Sequence, residues 1–363
     1  RNESSAASDV YKRQLLSCSS GQEKKLPQEP ISCDILISNG TIYDGSGSKP
    51  YVGSLAIKDD KIIYVGENTD FQADTVIDAT DLAVSPGFIN MLSWGYNSLM
   101  DDGRALSDLK QGVTLEIFGE GTSPGPYWKD GKFTSFGEAM TMLEKKGVSV
   151  NIGSFLGAAT TRILEVGYKN RQATPSEMER MRGHVENSMK EGAMGIGSSL
   201  IYAPGDYAST EELTELSKVA SEYGGMYISH LRSEGTNLLK ALEELISISR
   251  NANIPAEVYH LKASREPNWS KLDDVIKRIE EVRKEGLKIT ADIYTYNASS
   301  TGLTGVIPTW VQEGGHRAWI NRMKDPEVRP RLLADIREQL DEQPPEGILS
   351  VSYTHLTLPT THC

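Results

Sequence analysis

Residues 225–292 repeat one pattern, a short apolar run that ends in a chemically capable side chain. The runs are Gly225-Met226-Tyr227-Ile228-Ser229-His230, Pro255-Ala256-Glu257-Val258-Tyr259-His260 and Leu287-Lys288-Ile289-Thr290-Ala291-Asp292. Amphipathic helical patterns at 238–251 and 272–284 separate them. The end residues His230, His260 and Asp292 lie 30 and 32 residues apart, about one strand–helix unit. In a β/α barrel the carboxyl ends of the strands face the mouth where chemistry is done. Two imidazoles on adjacent strand ends point to one shared metal ion. The rival reading is a pair of hydrogen-bonded rim histidines.

Earlier segments extend the repeat. Strands are expected at 113–118, 148–156 and 193–198, with helices at 136–146, 175–190 and 210–223. Alternation at this spacing implies a parallel sheet. A dinucleotide-binding fold also alternates, but no strand leads into G-x-G-x-x-G opening a helix; Gly192-Ala193-Met194-Gly195-Ile196-Gly197 has the wrong order. Residues 31–82 read differently. Short β-type segments at 33–39, 41–43, 53–58, 61–65 and 75–78 are parted by Asn39-Gly40, Asp44-Gly45-Ser46-Gly47 and Asp59-Asp60-Lys61. That predicts a small antiparallel β module, a β-sandwich without helices. The barrel is expected over 83–349, its first strand within Ala83-Val84-Ser85-Pro86-Gly87-Phe88-Ile89-Asn90.

A chain of 363 residues with 38% hydrophobic content suits one barrel plus a small domain. The formal charge of −12 and the lack of a basic stripe argue against nucleic acid as a partner. Three cysteines imply no disulfide framework. No stretch reaches the ~18 apolar residues of a membrane span.

Several motifs together resemble the D-aminoacylase (N-acyl-D-amino-acid deacylase) family of the amidohydrolase superfamily over about 33–325. They are Asn39-Gly40-Thr41-Ile42-Tyr43-Asp44-Gly45, Ser85-Pro86-Gly87-Phe88-Ile89-Asn90 and the loop Leu200-Ile201-Tyr202-Ala203-Pro204-Gly205-Asp206-Tyr207-Ala208-Ser209. Ser229-His230-Leu231-Arg232-Ser233-Glu234-Gly235, His260-Leu261-Lys262 and Ala291-Asp292-Ile293-Tyr294-Thr295-Tyr296 complete the set. The resemblance implies a (β/α)8-type amidohydrolase barrel and zinc-dependent hydrolysis of the amide bond of a small N-acyl-D-amino acid.

The departures from that pattern are specific. The family's His-x-His pair falls on Leu92 and Trp94, and its aspartate on Asn90. The first-strand metal site is therefore absent, and one zinc per chain is expected. The family's bridging cysteine has no counterpart near Gly119-Glu120-Gly121, where Glu120 is the group able to offer an anionic oxygen. Ala158 stands where a histidine is expected ahead of Arg162. The ligand set implied is Glu120, His230 and His260. Lys262 and Arg232 are candidates to hold the substrate carboxylate, with Tyr202 and Tyr294 or Tyr296 positioning the acyl group. Asp292 either orients a ligand imidazole from behind or is structural.

Both ends read as foreign to the fold. Residues 1–14 and 350–363 resemble translated sequencing-adapter sequence, so His355, His362 and Cys363 are not counted as a metal cluster. Without these ends the net charge is −13. Leu15-Leu16-Ser17-Cys18 resembles a bacterial lipobox, and 19–30 is a polar tether. That predicts a lipidated Cys18 and a protein anchored at the bacterial cell envelope, on the periplasmic side. No eighth barrel strand is legible after Asp292; 310–337 reads as charged and helical. The last strand and the general-base aspartate that the resemblance implies are expected beyond 349, so a barrel ending there is expected to be inactive, with exposed strand edges. Two rival readings are a non-catalytic lipoprotein on a decayed amidohydrolase fold and an amidohydrolase acting on cyclic amides.

Overall fold

A computed structural model describes residues 30–67 and 70–342. The chain divides into two compact units between Pro86 and Gly87.

The first unit is built on a long strand, β1 (Ile31–Ile42), with β2 (Tyr51–Lys58), β3 (Lys61–Gly66), β4 (Phe71–Asp78) and β5 (Ala83–Val84). Strand order is β3-β2-β1-β4, and β5 also pairs β1. The β1–β2 and β2–β3 pairs are antiparallel, whereas β4 and β5 run parallel to β1. Among the described residues the unit is therefore one mixed sheet rather than an antiparallel set. Asn39-Gly40, read from sequence as a turn, sits inside β1 at a register shift, with Asn39 at φ +62°. A Cβ on Gly40 would lie 2.4 Å from Val84 Cγ2, so the close approach of β5 requires glycine there. Ala83–Val84 belongs to this sheet; the first barrel strand starts later, at Phe88.

The second unit is the barrel. Its strands are β6 (Phe88–Asn90), β7 (Val113–Phe118), β10 (Asn151–Ser154) with β11 (Leu156–Gly157), β12 (Gly195–Ser199), β13 (Met226–His230), β14 (Ala256–Val258) and β15 (Ile289–Ala291). A short hairpin, β8 (Tyr127–Lys129) and β9 (Lys132–Thr134), is inserted after β7. β10 and β11 are halves of one strand: Phe155 N donates to Phe118 O on one side and Met194 N to Ser154 O on the other. All pairings are parallel, in chain order from β6 to β15. Seven consecutive barrel strands are thus present among the described residues.

The helices follow as α1 (Tyr96–Asp101), α2 (Leu106–Leu109), α3 (Phe136–Lys146), α4 (Ala158–Glu165), α5 (Pro175–Lys190), α6 (Thr210–Glu222), α7 (Leu238–Ala252) and α8 (Lys271–Lys284). After β15 come α9 (Thr309–Gln312), α10 (His316–Lys324) and α11 (Arg329–Glu342). The starts of α3 and α5 are set by side-chain caps. Ser135 with Glu138 and Thr174 with Glu177 form capping boxes, and Pro175 opens α5.

Helix α7 shows why the layers hold. Leu238, Leu242, Leu245, Ile246 and Ala252 recur at helical spacing, all buried against strands and neighbouring helices. Each buried leucine or isoleucine contributes roughly 1.5–3 kcal/mol by removal from water. Inside the barrel lies a second apolar layer, with Ile117, Phe155, Ile228 and Tyr259 fully buried and Met91, Leu92, Leu115 and Met226 against them. Along β13, Ile228 enters this interior while Tyr227 packs outward under the helices. The period of two then turns His230 inward, above Ile228.

Candidate metal centre at the barrel mouth

Glu120, His230 and His260 converge, their ligand-type atoms all within 4.8 Å of one another. Each is placed by a strand end. Glu120 follows β7 between Gly119 at φ +109° and Gly121 at φ +69°. Side chains rarely adopt those conformations, and a Cβ on Gly119 would lie 2.3 Å from Phe155 O. Glycine on both sides lets the backbone turn tightly and leaves the carboxylate buried. His230 ends β13, and His260 follows β14 by two residues. His260 has φ +38°, a strained value for a side-chain-bearing residue. Its backbone N–H is gripped by Asp292 Oδ1 at 2.6 Å.

The contacts are dense. Glu120 Oε1 lies 3.0 Å from His230 Nδ1 and 3.8 Å from His260 Nε2. It also accepts from Ser199 Oγ at 3.2 Å, while Oε2 accepts from Trp94 Nε1 at 3.0 Å. The two imidazoles meet edge to face, centroids 4.5 Å apart. His230 Nε2 is buried with no hydrogen-bond partner. Buried polar nitrogens are nearly always paired, so this one marks a place for a ligand. Two imidazoles and a carboxylate form an N,N,O donor set that suits zinc with a further position open. The residues fit such an ion.

Burial pushes the Glu120 carboxyl up, but hydrogen bonds and charge from His230 and His260 outweigh it and hold it down at about 2. Burial likewise lowers His260, and its bonds to Glu120 and Glu234 reverse this, raising it to about 9. A metal ligand is a neutral imidazole, so metal capture at His260 releases a proton.

The other expected site residues divide. Lys262 Nζ stands beside the cluster, 3.0 Å from His260 Nδ1 and 5.3 Å from the Tyr294 ring centre. Tyr294 lies 6.3 Å from the His260 ring and Tyr202 5.8 Å from the His230 ring, and the Tyr202 hydroxyl meets Thr301 Oγ1. Tyr296 is 67% exposed on the same segment as Tyr294. Arg232 donates to Glu244 and to the carbonyls of Asp206 and Ala208, tying the 200–209 loop to α7, with one Nη1 hydrogen left over. Asp292 holds the backbone of His260 and not its ring. Cys18 and the base expected beyond 349 lie outside the described residues.

Three groups escaped the sequence reading. Glu234 accepts from Lys262 and lies 3.0 Å from His260 Nδ1; its spacing, four residues after His230 on the same loop, was the available signal. Trp94 and Ser199 bond to Glu120 across separations of 26 and 79 residues, which no local pattern reveals. The two positions of the missing His-x-His are filled differently. Leu92 plugs the barrel interior, and Trp94 reaches Glu120 through its indole N–H.

No family model matches the chain. Individual proteins do. The chain is 30% identical over 285 residues to the D-aminoacylase of Alcaligenes xylosoxydans xylosoxydans, 74% of this chain and 59% of that protein. A solved D-aminoacylase, described through a binuclear metal centre with one-metal activation and second-metal attenuation, superposes with a TM-score of 0.65 at 27% identity, over 73% of this chain and 59% of that one. The N-acyl-D-glutamate deacylase of Bordetella bronchiseptica, complexed with zinc and a phosphonate mimic of the tetrahedral intermediate, gives a TM-score of 0.66 at 25% identity, with the same coverage of 73% and 59%. The chain thus spans about three-fifths of the length of these relatives. Over the matched residues it is similar to the D-aminoacylases and N-acyl-D-amino-acid deacylases among the amidohydrolases.

Proposed function

We propose that the protein is a metal-dependent hydrolase of the amide bond in N-acyl-D-amino acids, with one zinc held by Glu120, His230 and His260. The observation that carries this is the unpartnered, buried His230 Nε2 beside Glu120 and His260 on a D-aminoacylase-type barrel. When bound, the metal supplies an activated water and polarises the acyl carbonyl.

The chain's own groups do the rest. Lys262 presents an ammonium at the mouth, held by Glu234 and facing Tyr294, where it meets the carboxylate of the amino-acid part. Tyr202 and Tyr294, packed against the two imidazoles, wall the space beside the reacting carbonyl. Trp94 N–H occupies one oxygen of Glu120, and Leu92 fills the space below, so the first-strand position offers no imidazole to a second ion.

Zinc analysis joined to a panel of N-acyl-D- and N-acyl-L-amino acids on the full-length gene product tests this. Zinc uptake with D-selective amide hydrolysis supports it. A protein that folds, takes no zinc and hydrolyses none of the panel is the non-catalytic scaffold that Leu92 and Trp94 would favour. The proposal includes a lipid anchor at Cys18 in the bacterial cell envelope. Release of the protein from membranes by Cys18→Ser would support the anchor, and identical partitioning of both forms would remove it. Among the described residues no helix is long and apolar enough to cross a membrane.

A further inference from the structure

We infer that Glu234 is a positioning residue that sets which nitrogen of His260 faces the metal cluster and places the Lys262 ammonium beside it. Glu234 sits on the loop after β13, 18% exposed in its side chain. One oxygen, Oε1, gathers three nitrogens: Lys262 Nζ at 2.5 Å, His260 Nδ1 at 3.0 Å and His230 Nε2 at 3.7 Å. The other, Oε2, accepts from Ser264 Oγ at 3.2 Å. The backbone locks the same pair of loops, since Ser264 N donates to Glu234 O at 2.8 Å. The carboxylate is therefore fixed from both ends and spans the loops that carry His230 and His260.

The charge on Glu234 selects the tautomer. His260 presents Nδ1 to Glu234 and Nε2 toward Glu120. A carboxylate accepts and cannot donate, so it stabilises the proton on Nδ1 and leaves the Nε2 lone pair for a metal. Lys262 lies 3.0 Å from the same Nδ1, and without the carboxylate it would donate to that nitrogen and drive the ring proton to Nε2, where it blocks the metal. One oxygen thus keeps a cation and an imidazole in their separate roles. This inference rests on the metal reading above.

The test is zinc affinity, measured by chelator competition in wild type, Glu234→Gln and Lys262→Met. Outer partners of this kind typically cost 10- to 100-fold in metal affinity when removed. Glu234→Gln keeps the shape and loses the charge, so its zinc affinity is expected to fall about 10- to 100-fold with an unchanged thermal midpoint. Lys262→Met is expected to leave zinc affinity unaltered and to raise KM. Wild-type zinc affinity in Glu234→Gln would overturn the inference. A wild-type chain that takes up no zinc would instead overturn the metal reading beneath it. A second measurement needs no variant: nitrogen NMR of the zinc-loaded wild type should show His260 protonated at Nδ1, and a proton on Nε2 would overturn the assignment.

Discussion

Removing the guanidinium of Arg162 should unfold the barrel more readily than any surface change, and by an amount that depends on pH. Arg162 is 1% exposed and its partner Glu212 3%, with Nη1 2.6 Å from the Glu212 carboxylate. The Nη2 group donates to the carbonyls of Lys169 and Arg171, closing the loop after α4. Breaking a buried pair by deleting one partner costs about 3–5 kcal/mol, because the remaining charge has no compensation. Nε of Arg162 is already buried without a partner, which lowers the pair's net worth and sets the expectation for Arg162→Met near 3 kcal/mol. Replacing both partners, Arg162→Met with Glu212→Leu, removes the stranded charge. Only the two loop carbonyls then lose a donor, so the double variant should lie within ~1–2 kcal/mol of wild type.

The pH dependence follows from the sign of the shift. Burial pushes the Glu212 carboxyl above its ordinary value, with Arg162 opposing. Without Arg162 only the raising cause remains, so the folded value climbs further above the unfolded one. Such a group lowers stability as pH rises above its unfolded value and costs least when protonated in both states. Urea unfolding followed by circular dichroism should therefore show a smaller Arg162→Met penalty at pH ~4.5 than at pH ~8. A penalty below about 1 kcal/mol at pH ~8, or one that grows on acidification, would refute the reasoning.

In the proposed reaction, Lys262→Met should raise KM for N-acyl-D-amino acids by roughly 10- to 100-fold, the worth of one charge-assisted hydrogen bond, and leave carboxamide analogues unaffected. Arg232→Met should lower the thermal midpoint without that KM signature, because its donors hold the 200–209 loop; a KM rise matching that of Lys262→Met would contradict the placement. Gly119→Ala should cost stability and zinc together, since the new methyl meets Phe155 O at 2.3 Å and the turn carrying Glu120 must shift; unchanged zinc content would argue against Glu120 as a ligand. Leu242→Ala, at a fully buried position of α7, should cost about 2–5 kcal/mol in the same urea assay and leave KM alone.

The strand–helix repeat was readable because burial imposes its periods on the chain. Helices α3 and α5 lie where capping residues and apolar spacing put them, with Ser135 and Thr174 opening each. His230 and His260 were readable as strand-end residues for the same reason. What stayed hidden depends on separation in sequence. Glu234 and Arg232 share one loop, yet only long-range partners distinguish their roles: Glu244 and two carbonyls capture the arginine, while His260 and Lys262 capture the carboxylate. Asn39-Gly40 looks like a turn in isolation, and the packing of β5 against β1 makes it a bulge instead. Helix α4 begins at Ala158 with no side-chain cap, leaving no start signal to read. Trp94 gave notice of a lost imidazole but not of its bond to Glu120.

Zinc content of the wild type against the His230→Ala, His260→Ala double variant tests the central claim most directly. Glu120, His230 and His260 supply three ligands for one ion and the first strand supplies none, so wild type should hold about one zinc per chain and the double variant none. Two tightly held equivalents in wild type, or zinc retained by the double variant, would contradict the account.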